Sequence, residues 1–229
     1  MTTENSLDRA RVSKVEGILF DMDGVLIDSE PLHEFTLLEL SSQFGHRFET
    51  HADLQAFKGL PELTAANRML AQFPHVTLSA AEIIALRLEK IRQHFDRVKM
   101  VVGADAFLRR CKAAGYRLGL TTSADPSIQQ LAFETFDLSL SFDAVITGKD
   151  VKIGKPDPEP YLLTAAKLGV LADRCMVIED AVTGVLSGKR AGCLVAALTT
   201  SFASTALLEA GADFVASSFA ELNAGFFGD

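Results

Sequence analysis

The sequence predicts an α/β protein: a mainly parallel sheet covered by helices on both faces, with a block of helices inserted after its first strand. Three observations carry this expectation. Short apolar runs without polar alternation recur along the chain, the pattern of strands buried on both faces. Stretches between them space their apolar residues by three and four, as helices do. From about Glu30 to about Lys99, helical patterns follow one another with no convincing strand.

The strand candidates are EGILF (16–20), YRLGLTT (116–122), AVIT (144–147), CMVIE (175–179), CLVAAL (193–198) and ADFVA (212–216). DAFLRRCKAAG (105–115) and YLLTAAKLGV (161–170) are helical between them. In the insert, PLHEFTLLELSSQFG, ELTAANRMLAQF and SAAEIIALRLEKIRQHF read as three helices. Pro31 suits a first helical turn and Gly45 a helix end, while Pro61 and Pro74 punctuate the others. The expected division is a core of residues 1–29 and 100–229 with a helical domain of residues 30–99.

Composition narrows the function. The chain has 229 residues, 48% of them hydrophobic, enough to bury a sizeable core. A net charge of −8 argues against nucleic acid or an anionic membrane as partner. It leaves room for small anions, because a lysine and a metal reverse the field inside a cleft. Cys111, Cys175 and Cys193 lie far apart with no metal-type pairing, as in a reduced chain. Those in apolar runs are expected to be structural thiols. The polar N-terminal stretch has no signal core, and no apolar run approaches the ~18 residues of a membrane span. These features predict a cytoplasmic protein. It is expected to be a monomer or weak homodimer, an expectation that no feature of the sequence fixes.

The chemistry sits at the strand ends. The first strand runs into Asp21 and Asp23 within GILFDMDGVLIDSEPLH, where clustered acids repel and burial is costly. A bare turn would explain Asp and Gly there. A calcium loop would want Gly sixth and Glu twelfth, whereas Gly24 is fourth and Leu32 twelfth. The second strand ends in Thr121, Thr122 and Ser123, ahead of Asp125 and Pro126, a helix cap and first turn. The loop after the third carries Lys155 in GKPDPEP, and the fourth ends in Glu179 and Asp180. In a parallel sheet these ends share one crevice. Four carboxylates, a lysine and hydroxyls would meet there, and a hard oxygen donor set of that kind suits Mg²⁺.

DMDGVLIDS, LTTSAD, GKPDP and VIEDAVTG, in that order, resemble the four motifs of the haloacid dehalogenase superfamily, over nearly the whole chain. The helical insert after the first motif resembles the α-helical C1 cap of subfamily I. The resemblance implies a Rossmann-like three-layer core and a mobile cap. It implies that Asp21 is the nucleophile, forming an aspartyl-phosphate, and that Asp23 is general acid and then base. Thr122 and the Ser123 N–H would hold phosphoryl oxygens, and Lys155 would screen the charge. Asp21, the Asp23 carbonyl, Asp180 and Glu179, the last directly or through water, would form the Mg²⁺ site. The superfamily's dehalogenases lack an acid at the Asp23 position, so carbon–halogen cleavage is not expected.

The function this implies is a Mg²⁺-dependent phosphatase for a small phosphorylated metabolite, of the sugar phosphate or phosphoglycolate type. Candidate substrate contacts are His33, Lys58 and Arg68, each weighed against a structural or solvated role. One alternative is a sugar phosphomutase resembling beta-phosphoglucomutase, but Glu62 stands where such proteins tend to carry Arg. The other is a non-catalytic binding protein of the same fold, which the presence of both Asp21 and Asp23 disfavours.

Overall fold

A computed structural model describes residues 7–45, 48, 53, 54, 56–58, 60 and 62–228. These divide into two compact units, Met1–Asp28 with Met100–Asp229, and Ser29–Lys99.

The first unit is built on a six-stranded sheet, all parallel. Its strands are β1 (Gly17–Phe20), β4 (Arg117–Thr121), β5 (Ala144–Ile146), β6 (Cys175–Glu179), β7 (Leu194–Leu198) and β8 (Phe214–Ala216), in the order β5-β4-β1-β6-β7-β8. The order reverses beside β1, the kind of switch point where α/β sheets open a crevice at their carboxyl ends. Every residue of β1, β6 and β7 is buried, so both faces are covered.

Helices supply the two outer layers. α5 (Ala104–Ala113), α6 (Pro126–Phe136), α7 (Glu159–Leu168), α8 (Val182–Arg190), α9 (Ser204–Glu209) and α10 (Phe219–Phe227) alternate with the strands, after a short α1 (Arg9–Val12). On one face Leu19, Val177 and Val195 pack with Tyr161 and Leu168 of α7, Val185 of α8 and Leu207 of α9. On the other, the Phe20 ring lies 6.2 Å from Phe107 of α5, which lies 5.3 Å from Phe219 of α10.

The second unit contains α2 (Glu30–Gln43), α3 (Glu62–Gln72) and α4 (Ala80–Gln93) around a core of its own, including Leu40, Phe57, Met69, Phe73 and Ile83. Pro31 does lie in the first turn of α2, and Gly45 follows its end at φ 81°. Ser79 and Glu82 cap α4 reciprocally. Pro61 lies outside the described residues. No described helix is long and apolar enough to cross a membrane.

The expected strands appear within a residue or two of their predicted bounds. A two-stranded sheet of β2 (Ile27–Asp28) and β3 (Lys99–Met100) was not expected, and β3 begins at a position assigned to the helical stretch. Two residues are too few to register as a periodicity. All three cysteines are free and buried, and burial pushes each thiol up to about 12, which makes them inert packing residues.

The contact between β4 and α7 is tight. A Cβ on Gly119 would lie 2.5 Å from Thr164 Cγ2 and 3.1 Å from Leu19 Cδ2. Gly119→Ala is expected to cost about 1–3 kcal/mol through overpacking, read by urea denaturation. An unchanged midpoint would show that the layers part freely.

Candidate active site

Asp21 follows β1 directly, and its N–H donates to Ile178 O at 3.0 Å, which carries the β1–β6 ladder one residue further. The carboxylate therefore emerges at the carboxyl edge of the sheet, next to the end of β6. There Glu179 is the last strand residue and Asp180 the first beyond it. One carboxylate oxygen from each of Asp21, Glu179 and Asp180 lies within 4.8 Å of the others, and all three residues are buried.

Lys155 enters from the loop before α7. Its Nζ donates to Asp21 Oδ1 at 2.6 Å, Glu179 Oε1 at 2.7 Å and Thr121 O at 3.0 Å, which uses all three ammonium protons. The loop is fixed from α8: Ser187 Oγ donates to Asp157 O at 2.5 Å and Arg190 Nη1 to Pro156 O at 2.8 Å. The Lys155–Pro156 peptide bond is cis.

Glu179 accepts four hydrogen bonds. Oε1 accepts from Lys155 and from the Tyr161 hydroxyl at 2.8 Å, and Oε2 accepts from the N–H groups of Asp180 and Ala181 at 2.9 and 3.0 Å. It thus anchors the lysine and satisfies donors at the start of α8. Asp21 and Asp180 hold the less committed oxygens. Asp21 Oδ2 accepts no hydrogen bond among the described residues; the Asp180 carboxylate takes a side-chain hydrogen bond from Ser201, and its Oδ2 has a long contact, 3.3 Å, from Thr200 Oγ1.

The electrostatics follow from burial. Desolvation raises the Asp21 carboxyl to about 7; Lys155 opposes this, while Glu179 and Asp23 add to it. Burial, then Glu179 and Asp21, raise Asp180 well above the carboxylate range. Burial works against the Lys155 ammonium, yet Asp21 and Glu179 outweigh it and raise its pKa. With all three acids ionised, three carboxylates would face one ammonium. One divalent cation would cancel that excess of two negative charges and so favour the ionised forms that burial disfavours, and an all-oxygen donor set suits a hard one.

The other expected residues divide in two groups. Asp23 is half-buried and close enough to act on Asp21, but its carboxylate is not in the three-acid cluster. Thr122 is buried, its N–H donating to Ile146 O and its Oγ1 accepting from Ala124 N–H at 3.0 Å. Ser123 is exposed, and its N–H donates to nothing among the described residues. Asp125 caps α6 as expected, its Oδ1 accepting from Ser127 N–H at 2.9 Å. In the helical unit, His33 Nδ1 lies 3.0 Å from Arg87 Nη2, and Lys58 Nζ lies 3.7 Å from Glu30 Oε1. Arg68 is exposed and donates to Ala56 O. All three are engaged within that unit.

Sequence reasoning passed over several participants. Tyr161 lay in a helical pattern, although a buried tyrosine needs a partner for its hydroxyl. Thr200 Oγ1 donates to Gly24 O at 2.6 Å, which ties the loop after β1 to the end of β7. Applying the strand-end rule to β7 would have found it. Two glycines admit the acids. A Cβ on Gly24, at φ +75°, would lie 1.8 Å from Asp180 Oδ2, and one on Gly184 would lie 1.7 Å from Glu179 Oε1.

A family description for haloacid dehalogenase-like hydrolases matches residues 15–192. The phosphorylated carbohydrates phosphatase of Thermotoga maritima is 31% identical over 205 residues, covering 86% of this chain and 92% of its own. Hexitol phosphatase A of Escherichia coli is 32% identical over 186 residues, 81% of this chain and 83% of its own. The structure of CbbY from Rhodobacter sphaeroides in complex with phosphate matches at 25% identity with a TM-score of 0.78, covering 93% of this chain and 99% of that one.

Gly184→Ala is expected to push Glu179 off its four donors and to cost about 3–5 kcal/mol, as breaking a buried ion pair does. Gly154→Ala, whose Cβ would meet nothing within 4 Å, is the control and should stay within about 0.5 kcal/mol. Equal urea midpoints for the two variants would contradict this packing.

Proposed function

Because the chain belongs to the haloacid dehalogenase-like hydrolase family, we propose that it is a Mg²⁺-dependent phosphatase of small phosphorylated metabolites, sugar or sugar-alcohol phosphates foremost. The observation that carries the reading is Lys155, buried and bonded at 2.6 Å to Asp21 and 2.7 Å to Glu179, beside an acid cluster in charge excess. The substrate class is supported by the names of the two phosphatases of comparable length.

In this reading Asp21 Oδ2 attacks the phosphorus in line with the ester oxygen. The P–O ester bond breaks as the aspartyl-phosphate bond forms, and Asp23 gives its proton to the departing alkoxide. Asp23 then takes a proton from water, whose oxygen attacks the phosphorus and releases inorganic phosphate and free Asp21. The Thr122 hydroxyl and Ser123 N–H hold the non-bridging oxygens, and Lys155 offsets the charge gathered on them. Mg²⁺ held by Asp21, the Asp23 carbonyl and Asp180, with Glu179 reaching it through water, would supply the positive charge that lets an anionic nucleophile approach an anionic ester. The helical unit is the cap, and selectivity rests with it because the core groups meet only the phosphoryl group.

A panel of sugar, polyol and glycolate phosphates, assayed for inorganic phosphate and for phosphate isomers, tests the reading. Wild type should release phosphate without isomer. Asp21→Asn should be inactive, Asp23→Asn should lose about 10²–10⁴-fold in kcat, and Lys155→Ala should lose about 10²-fold or more. EDTA should abolish turnover and Mg²⁺ restore it. Activity that survives thorough chelation, or an active Asp21→Asn, would overturn the mechanism; isomer formation would favour the mutase.

A further inference from the structure

Tyr161 sits outside every motif, on α7, and is fully buried among Leu19, Ala165, Leu168, Val177 and Val185. Phenylalanine would satisfy that packing equally well. A buried hydroxyl costs free energy unless it is bonded, and among the described residues this one has one partner, Glu179 Oε1 at 2.8 Å. The same oxygen accepts from Lys155 Nζ at 2.7 Å, and Nζ lies 5.0 Å from the centroid of the tyrosine ring. A phenol keeps its proton at neutral pH and a carboxylate oxygen only accepts, so the hydroxyl is the donor.

We propose that Tyr161 is a positioning residue for phosphoryl transfer: its hydroxyl, by donating to Glu179 Oε1, limits how strongly Glu179 draws Lys155 away from Asp21. The inference rests on the phosphatase reading above. Lys155 is divided between two carboxylates at nearly equal distance, 2.6 and 2.7 Å, with the third proton on Thr121 O. Such a point of balance shifts with the charge on either side. A hydrogen bond to Oε1 disperses part of the charge on Glu179 and leaves the ammonium close to Asp21 Oδ1. Without it, Glu179 holds Lys155 harder, and the ammonium recedes from the side where the phosphoryl charge gathers. The loss falls on the transition state more than on substrate binding, hence on kcat.

Tyr161→Phe isolates the hydroxyl, because the ring and its packing remain. In the full-length protein with Mg²⁺, kcat should fall about tenfold, the effect of one charge-assisted hydrogen bond. KM and the Mg²⁺ concentration for half-activation should stay within about twofold, and the melting temperature within a few degrees. A kcat within twofold of wild type overturns the proposal, as does a loss that appears equally in KM or only together with melting. A second comparison asks whether the effect passes through Glu179: in a Glu179→Gln background, Tyr161→Phe should cost less than about twofold more. A full tenfold loss there would mean that Tyr161 acts by another route. A wild type that releases no phosphate from any ester fails the phosphatase reading itself; an active wild type with an equally active Tyr161→Phe fails only this inference.

Discussion

The buried ammonium of Lys155 is the interaction on which the site depends. It bridges Asp21 at the end of β1 and Glu179 at the end of β6 and reaches the last carbonyl of β4. Three adjacent strands are thereby joined at one edge by one side chain. Buried carboxylates are tolerated only with a partner, and removing one member of such a pair exposes the others to the full cost of desolvation. The lysine meets part of that demand, and a cation held by the three acids would meet the rest.

The backbone makes room for this arrangement. Parallel pairing brings Asp21, Thr122 and Asp180 to the same end of the sheet, although Thr122 lies 101 positions beyond Asp21 and Asp180 another 58 beyond Thr122. Gly24 and Gly184 then allow carboxylates to approach closer than any side chain would permit. Thr200 ties the Gly24 carbonyl to the end of β7, and α8 holds the Lys155 loop through Ser187 and Arg190. The loop after β1 and the loop that carries Lys155 are thus each tied to a neighbouring element.

Much of this was legible in the sequence. Unbroken apolar runs such as CMVIE identified the strands, and the polar residues just past them identified one edge of the sheet. Asp21, Lys155, Glu179 and Asp180 were found in that way, and they do converge. What stayed hidden depended on partners rather than on pattern. Glu179 was read as reaching a metal directly or through water, and nothing in the pattern disclosed that its oxygens also take hydrogen bonds from Lys155, Tyr161 and two backbone amides. Tyr161 read as one more apolar helix position, since no spacing reveals that its hydroxyl meets a residue on another element. β2 and β3 are too short for any periodicity, and the roles of His33, Lys58 and Arg68 turn on contacts that helical spacing alone does not encode.

Calorimetric titration of Mg²⁺ into the metal-free protein, wild type and Asp180→Asn, tests the central claim most directly. The account predicts one site per chain in the wild type and its loss in the variant, because the cation answers the charge that Lys155 leaves unbalanced. Equal binding to both proteins, or binding to neither, would contradict it.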